Sequence, residues 1–239
     1  MFITYKLRRP LRGPLIILLL TVIPVVVLLL SLHGRMTNTA AQADAAMTLV
    51  IDPGHGGIDG GAQGADGSKE SDINLAIALK LRAIAEFYGQ DNIMTRQDDS
   101  TKSDGETYSE HRDLVCRTEI INSARNPVLV SIHQNCYPTG QPSGPQVMYA
   151  ANQDSEILGK IMHQNMINSL DPGNRRVAEP ASKGLYILSH VSCPAVLVEC
   201  GFMSNFSDME HLKEPAYQTA VAAVLMGSYL QYRAGTFST

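Results

Sequence analysis

Thr48-Leu-Val-Ile-Asp-Pro-Gly-His-Gly-Gly57 is a short apolar run that passes directly into a proline- and glycine-rich turn. Apolar residues bounded by Pro and Gly read as a buried strand that ends sharply. The turn leaves His55 at the end of that strand with small residues on both sides. An imidazole placed there faces an open cleft, with room beside it for a metal and a substrate.

Outward from this strand, helical and extended patterns alternate. Ser71–Tyr88 carries apolar residues at Ile73, Ala76, Ile77, Leu79, Leu81 and Ile84, a helical spacing closed by Gly89. Asn92–Thr95 reads as a short strand and Tyr108–Ala124 as a helix with Pro127 just beyond it. Val128–His133 is a continuous apolar run, as suits a strand buried on both faces of a parallel sheet. Gln146–Ala150 reads as a strand, Asp154–Leu170 as a helix, Ala195–Glu199 as another buried strand and Glu214–Tyr232 as the closing helix. The order βαβαββαβα predicts a single α/β domain, its sheet mostly parallel and flanked by helices on both faces. In such sheets the site lies beyond the carboxyl ends of the strands.

Three polar residues fall at that edge. His55 follows the first strand, His133 ends the run Leu129-Val-Ser-Ile-His, and Glu199 ends Ala195-Val-Leu-Val-Glu. A carboxylate at the rim of an apolar layer is desolvated, which raises its pKa toward a value useful for proton transfer. Glu70 is a fourth candidate, at the point where the glycine-rich loop meets the first long helix. Two imidazoles and a carboxylate form the ligand set of a catalytic zinc, and a further carboxylate is needed to take a proton from the attacking water.

Other chemistries fit less well. A dinucleotide fingerprint started at Gly54 requires glycine at position 59, where the chain has Asp59. No G-x-S-x-G elbow occurs. Cys136 and Cys200 lie near His133 and Glu199 but have no assigned base, so they read as wall residues. Cys116, Cys136, Cys193 and Cys200 suit two disulfides in an oxidising compartment and equally well free buried thiols, so their pairing stays open.

The chain has 239 residues, 44% of them hydrophobic, and a formal charge of −4. Residues 1–43 hold five bases and no acid, so the remainder holds 14 bases against 23 acids, a net of −9. An acidic body without a basic cluster argues against nucleic acid as a partner. Residues 15–32 form an uncharged apolar stretch of 18 residues, the lower limit for spanning a bilayer, behind a basic segment that puts the N-terminus inside. The expected organisation is a basic cytoplasmic N-terminus at 1–14, a membrane anchor or signal sequence at 15–32, a linker at 33–46 and a catalytic domain at 47–233. The length of the apolar run favours an uncleaved anchor, while Ala41-Gln-Ala43 and Ala43-Asp-Ala45 suit cleavage.

Four motifs together resemble the zinc-dependent N-acetylmuramoyl-L-alanine amidases of bacterial cell walls. They are Ile51-Asp-Pro-Gly-His-Gly-Gly, Lys69-Glu-Ser-Asp-Ile-Asn-Leu-Ala-Ile-Ala, Ser131-Ile-His-Gln-Asn and Val198-Glu-Cys-Gly-Phe-Met-Ser-Asn, in this order. Thr95-Arg96, Arg117 with Asn122, and the Tyr217–Tyr232 segment also look like that family, so the resemblance spans about residues 48–232. It implies that His55, Glu70 and His133 bind one Zn2+ and that Glu199 is the catalytic acid/base. Arg117 or Asn135 would orient substrate. The implied reaction is hydrolysis of the amide between N-acetylmuramic acid and L-alanine of peptidoglycan. Gln134, Cys136 and Cys200 depart from the commoner pattern and are expected to alter the cleft walls only.

The short form with an N-terminal apolar segment resembles the sporulation and germination amidases. The expected partners are peptidoglycan and, through the apolar segment, the membrane; a protein activator is left open and the chain is taken as a monomer. Its expected place is the outer face of the cytoplasmic membrane or the cell wall. Two alternatives stay open: a zinc peptidase acting within the stem peptide, and a wall-binding module that does not cut. The short, Pro- and Gly-rich Tyr137–Gly144 stretch has no room for a blocking helix, so the cleft is expected to be open.

Overall fold

A computed structural model of the chain describes residues 46–103 and 107–236. It contains six strands, β1 (Thr48–Pro53), β2 (Asn92–Met94), β3 (Pro127–Asn135), β4 (Gln146–Tyr149), β5 (Glu179–Pro180) and β6 (Ala195–Phe202). Six helices accompany them among the described residues: α1 (Glu70–Phe87), α2 (Glu110–Ser123), α3 (Gln153–Leu170), α4 (Tyr186–His190), α5 (Phe206–Lys213) and α6 (Pro215–Arg233). The strands form one sheet in the order β2-β1-β3-β6-β4-β5. β2, β1, β3 and β6 are mutually parallel, whereas β4 pairs antiparallel with β6 and carries β5 parallel to itself.

Alternation along the strands sends side chains to two cores. Leu49, Ile51, Val130, Ile132, Val196 and Val198 face a large core under α1, α3, α5 and α6. Val50, Leu129, Ala195 and Leu197 face a smaller one under α2 and α4. Burial on both faces is why these strands read as continuous apolar runs. The α/β class with helices on both faces is therefore observed. The expected element order lacks three short pieces: β5, of two residues, α4, of five, and α5, of eight. α5 starts from a cap whose signal was present, since the side chain of Asn205 accepts from the N–H groups of Ser207 and Asp208. The strands that were expected to end at His133 and Glu199 run on to Asn135 and Phe202.

Among the described residues no helix is long and apolar enough to cross a membrane. The 15–32 stretch lies outside them.

Candidate active site

The β1–α1 turn is fixed from below by two buried arginines. Arg96 donates to the carbonyls of Pro53, Gly54 and Ser71, each at 2.9 Å. Arg117 donates to the carbonyls of Pro53 at 2.7 Å and His55 at 2.6 Å, and pairs with Asp52 at 2.9 Å and Asp113 at 2.6 Å. So held, His55 takes a left-handed backbone, φ +60°, which residues with a side chain seldom adopt. The following loop folds back on the start of α1: the carbonyls of Ala62 and Gly60 accept from the backbone N–H groups of Glu70 and Ser71. That contact substitutes for a side-chain cap, which Lys69 does not supply.

This places the Glu70 carboxylate, 3% exposed, between the two imidazoles. Its Oε2 lies 3.3 Å from His55 Nε2 and its Oε1 3.1 Å from His133 Nδ1. Backbone N–H groups of Ala62 and Gln134 and the Asn74 amide also donate to it, at 2.9, 3.0 and 3.2 Å. Burial opposes its ionisation, but the two histidines outweigh burial and hold it well below the usual carboxylate range. Burial likewise lowers the His55 pKa, yet Glu70 and Asp59 together push it up to about 9. Each of His55, Glu70 and His133 offers a ligand atom within 4.8 Å of the others, and such a group can hold a metal ion. Gly54 is necessary for this packing, because a Cβ there would lie 2.2 Å from His133 Cε1.

Glu199 sits opposite His133 in the β3–β6 register. Asp52, Ser131, His133, Leu197 and Glu199 share the sheet face toward α2 and α4, and there they line a cleft of about 260 Å³. The opposite wall includes Tyr108, Leu114, Leu185 and Ile187. Burial raises the Glu199 pKa to about 7, the effect of nearby Glu70 and the histidines being smaller. Its Oε2 is buried without a hydrogen-bond partner, so an acceptor is held in reserve at the cleft.

Arg117 lines the cleft from beneath, but its donors are occupied by Asp52, Asp113 and two carbonyls. Asn135 turns its amide oxygen back to the Cys136 N–H at 2.8 Å. Gln134 and Cys200 do not form cleft walls as expected. Gln134 is buried against Asn74 at 3.0 Å, and Cys200 belongs to the large core on the other side of the sheet. Between Tyr137 and Gly144 the structure has no helix. Asp52, Asp59, Asn74 and Arg96 are central to the site, whereas the sequence assigns none of them a role in it, although Asp52, Asn74 and Arg96 lie in the family-like motifs. For Asn74 a signal existed, since it lies one helical turn beyond Glu70 on the same face.

A mostly parallel α/β domain that sets a His–Glu–His cluster able to hold a cation, and a buried carboxyl oxygen without a hydrogen-bond partner, at the carboxyl edge of its sheet has the groups that a hydrolase uses. Residues 49–227 match the family model described as N-acetylmuramoyl-L-alanine amidase. The germination-specific N-acetylmuramoyl-L-alanine amidase of Bacillus subtilis (strain 168) is 33% identical over 189 residues, which cover 77% of this chain and 78% of that protein. The solved CwlD amidase from Clostridioides difficile, in complex with the GerS lipoprotein, superposes with a TM-score of 0.75 at 36% identity, covering 79% of this chain and 98% of that one. The catalytic domain of CwlV, an N-acetylmuramoyl-L-alanine amidase from Bacillus (Paenibacillus) polymyxa var. colistinus, gives 0.66 at 27% identity over 79% and 98%. The chain belongs to the N-acetylmuramoyl-L-alanine amidase family. It is a hydrolase of the amide that joins N-acetylmuramic acid to L-alanine in bacterial peptidoglycan.

Proposed function

We propose that the amidase works with one zinc ion held by His55, Glu70 and His133, and that Glu199 moves the proton. The observation that carries this reading is the convergence of those three side chains beside a buried carboxyl oxygen with no partner. Two nitrogens and one oxygen, with room for a fourth ligand, match the donor set of catalytic zinc sites. Bound there, zinc would supply Lewis acidity, polarising the scissile carbonyl and making the attacking water easier to deprotonate. Glu199, with a pKa of about 7, exchanges protons readily near neutrality. As carboxylate it takes the proton of the attacking water. As acid it returns that proton to the L-alanine nitrogen while the C–N bond breaks. Asp52 and Arg117 support the turn that presents His55, and a role for Arg117 in orienting substrate would act through that turn. For Asn135, rotation of its amide off Cys136 would be needed before it met substrate.

The proposed organisation remains a basic cytoplasmic segment at 1–14, a membrane anchor or signal sequence at 15–32, a linker at 33–46 and the catalytic domain at 47–233, acting at the outer membrane face or in the cell wall. The uncharged 15–32 stretch and its basic flank support this. Identity to the germination-specific relative supports a germination role. A protein partner is proposed on the likeness to an amidase solved with a lipoprotein.

Digestion of purified muropeptides by the full-length chain with added zinc tests the reading, with fragments identified by mass. Intact stem peptides with a free L-alanine amine are expected, and Glu199→Gln should abolish them while retaining zinc. Shortened peptides, or full turnover by Glu199→Gln, would overturn it.

A further inference from the structure

The carboxylate of Asp59 has no part in the ligand cluster, yet it is bound to it. Its Oδ2 lies 2.8 Å from His55 Nδ1, on the side of the ring away from Glu70. Tyr108 donates its hydroxyl to the same oxygen at 3.2 Å, and the Gly61 N–H donates to Oδ1 at 3.1 Å. The Asp59 backbone is tied to the same turn, because Gly56 and Asp59 exchange both of their N–H···O bonds, at 2.7 and 3.0 Å. Asp59 is therefore fixed relative to His55 by its backbone and by both carboxylate oxygens.

A neutral imidazole carries one N–H, and a carboxylate beside Nδ1 keeps it there, leaving the Nε2 lone pair free. That Nε2 is the atom facing Glu70. His55 has a particular need of such a partner, because it stands on a left-handed residue of a turn and its side chain is 28% exposed. His133 is placed differently, in mid-strand with Gly54 packed directly on its ring. Tyr108 lies just before α2, whose Arg117 grips the same turn from below. The turn is thus held from two directions by one helix and its leading residue.

We propose that Asp59 and Tyr108 form a positioning pair for His55: Asp59 holds the imidazole with Nε2 directed at the cation site, and Tyr108 holds Asp59. This rests on the zinc reading above. Neither residue touches the reacting atoms. Their contribution is the tautomer and orientation of one ligand, and outer partners of this kind are worth about 10–100-fold in metal affinity.

The test measures zinc affinity of the full-length chain by competition with a chromophoric chelator, alongside the visible spectrum of the cobalt(II)-loaded form and the melting temperature of the metal-free form. Asp59→Ala should weaken zinc about 10–100-fold and shift the cobalt bands. Asp59→Asn keeps an oxygen acceptor for Nδ1–H and should recover much of that loss. Tyr108→Phe removes one hydrogen bond and should cost on the order of threefold to tenfold. If both Asp59→Ala and Tyr108→Phe bind zinc within about twofold of the parent, the proposal is wrong, whatever happens to melting. If Asp59→Ala does not fold, Tyr108→Phe decides alone. His55→Ala separates the two levels. Loss of zinc there with parent-like affinity in the other variants defeats only the positioning pair, whereas retention of zinc in His55→Ala defeats the ligand reading and the pair together.

Discussion

Replacing Arg117 by Met should unfold the floor of the site more than it affects binding of substrate. Arg117 is 1% exposed and Asp52 fully buried, and their side chains meet at 2.9 Å, with Asp113 at 2.6 Å on the guanidinium's other edge. Methionine fills much of the space but removes the positive charge that pairs with Asp52, leaving its carboxylate hydrogen-bonded by the hydroxyls of Thr95 and Ser131. Breaking a buried pair by removing one partner costs about 3–5 kcal/mol. For a domain of this size, each 1 kcal/mol moves the melting temperature by about 2–4 °C, so a fall of roughly 6–20 °C is expected. The loss also has a pH signature. In the parent, burial works to raise the Asp52 pKa, but Arg117, Ser131 and Thr95 outweigh it and hold the carboxyl below the usual range. That stabilisation is present above the unfolded aspartate value, about 3.9, and disappears as pH falls through the folded one. In Arg117→Met the largest opposing influence is gone, so burial pushes the folded value up relative to the parent. Relative to the parent, the variant is then penalised at neutral pH and relieved by acid, so the gap between the two proteins should narrow from pH 7 to 4. Lysine offers a point charge in place of a fork and should restore only part of the loss. Urea and thermal unfolding by circular dichroism across that pH range measure both effects. A loss under about 1 kcal/mol at unchanged denaturant slope, or a gap that widens in acid, would refute the reasoning.

Gly54→Ala should lower zinc affinity sharply in a folded protein, because its methyl would occupy the place of the His133 ring; parent-like zinc binding by equilibrium dialysis would contradict this. His133→Ala should lose the metal outright, and one equivalent of zinc by elemental analysis would count against that ligand. Thiol labelling of the native chain should modify exposed Cys136 rapidly and spare Cys193 and Cys200. Burial raises their thiols, to about 11 for Cys193 and further for Cys200, so peptide mapping should find them labelled only after unfolding.

The large features of the fold were legible because the central strands are buried on both faces and are therefore mostly apolar, as in Val128–Val130 and Ala195–Val198. The short elements were not, because two-residue β5 and five-residue α4 have no room for periodicity and are set by packing against the sheet. The direction of β4 was also hidden, since a four-residue strand reads alike whichever way it runs. In the site, His55, His133 and Glu199 stood out as polar residues at the ends of apolar runs. Asp59 was visible only as the residue that excludes a dinucleotide loop. Its contact with His55 depends on a left-handed turn that composition alone does not specify. Arg117 and Asp52 lie 65 residues apart, and only the parallel packing of β1, β3 and α2 brings them together.

The most direct measurement is a crystal structure of the zinc-loaded chain with anomalous data collected on both sides of the zinc edge. One peak is expected, in coordination contact with His55 Nε2, His133 Nδ1 and the Glu70 carboxylate, with Glu199 close by but not ligating. A peak elsewhere, or one ligated by Glu199 in place of Glu70, would contradict the assignment.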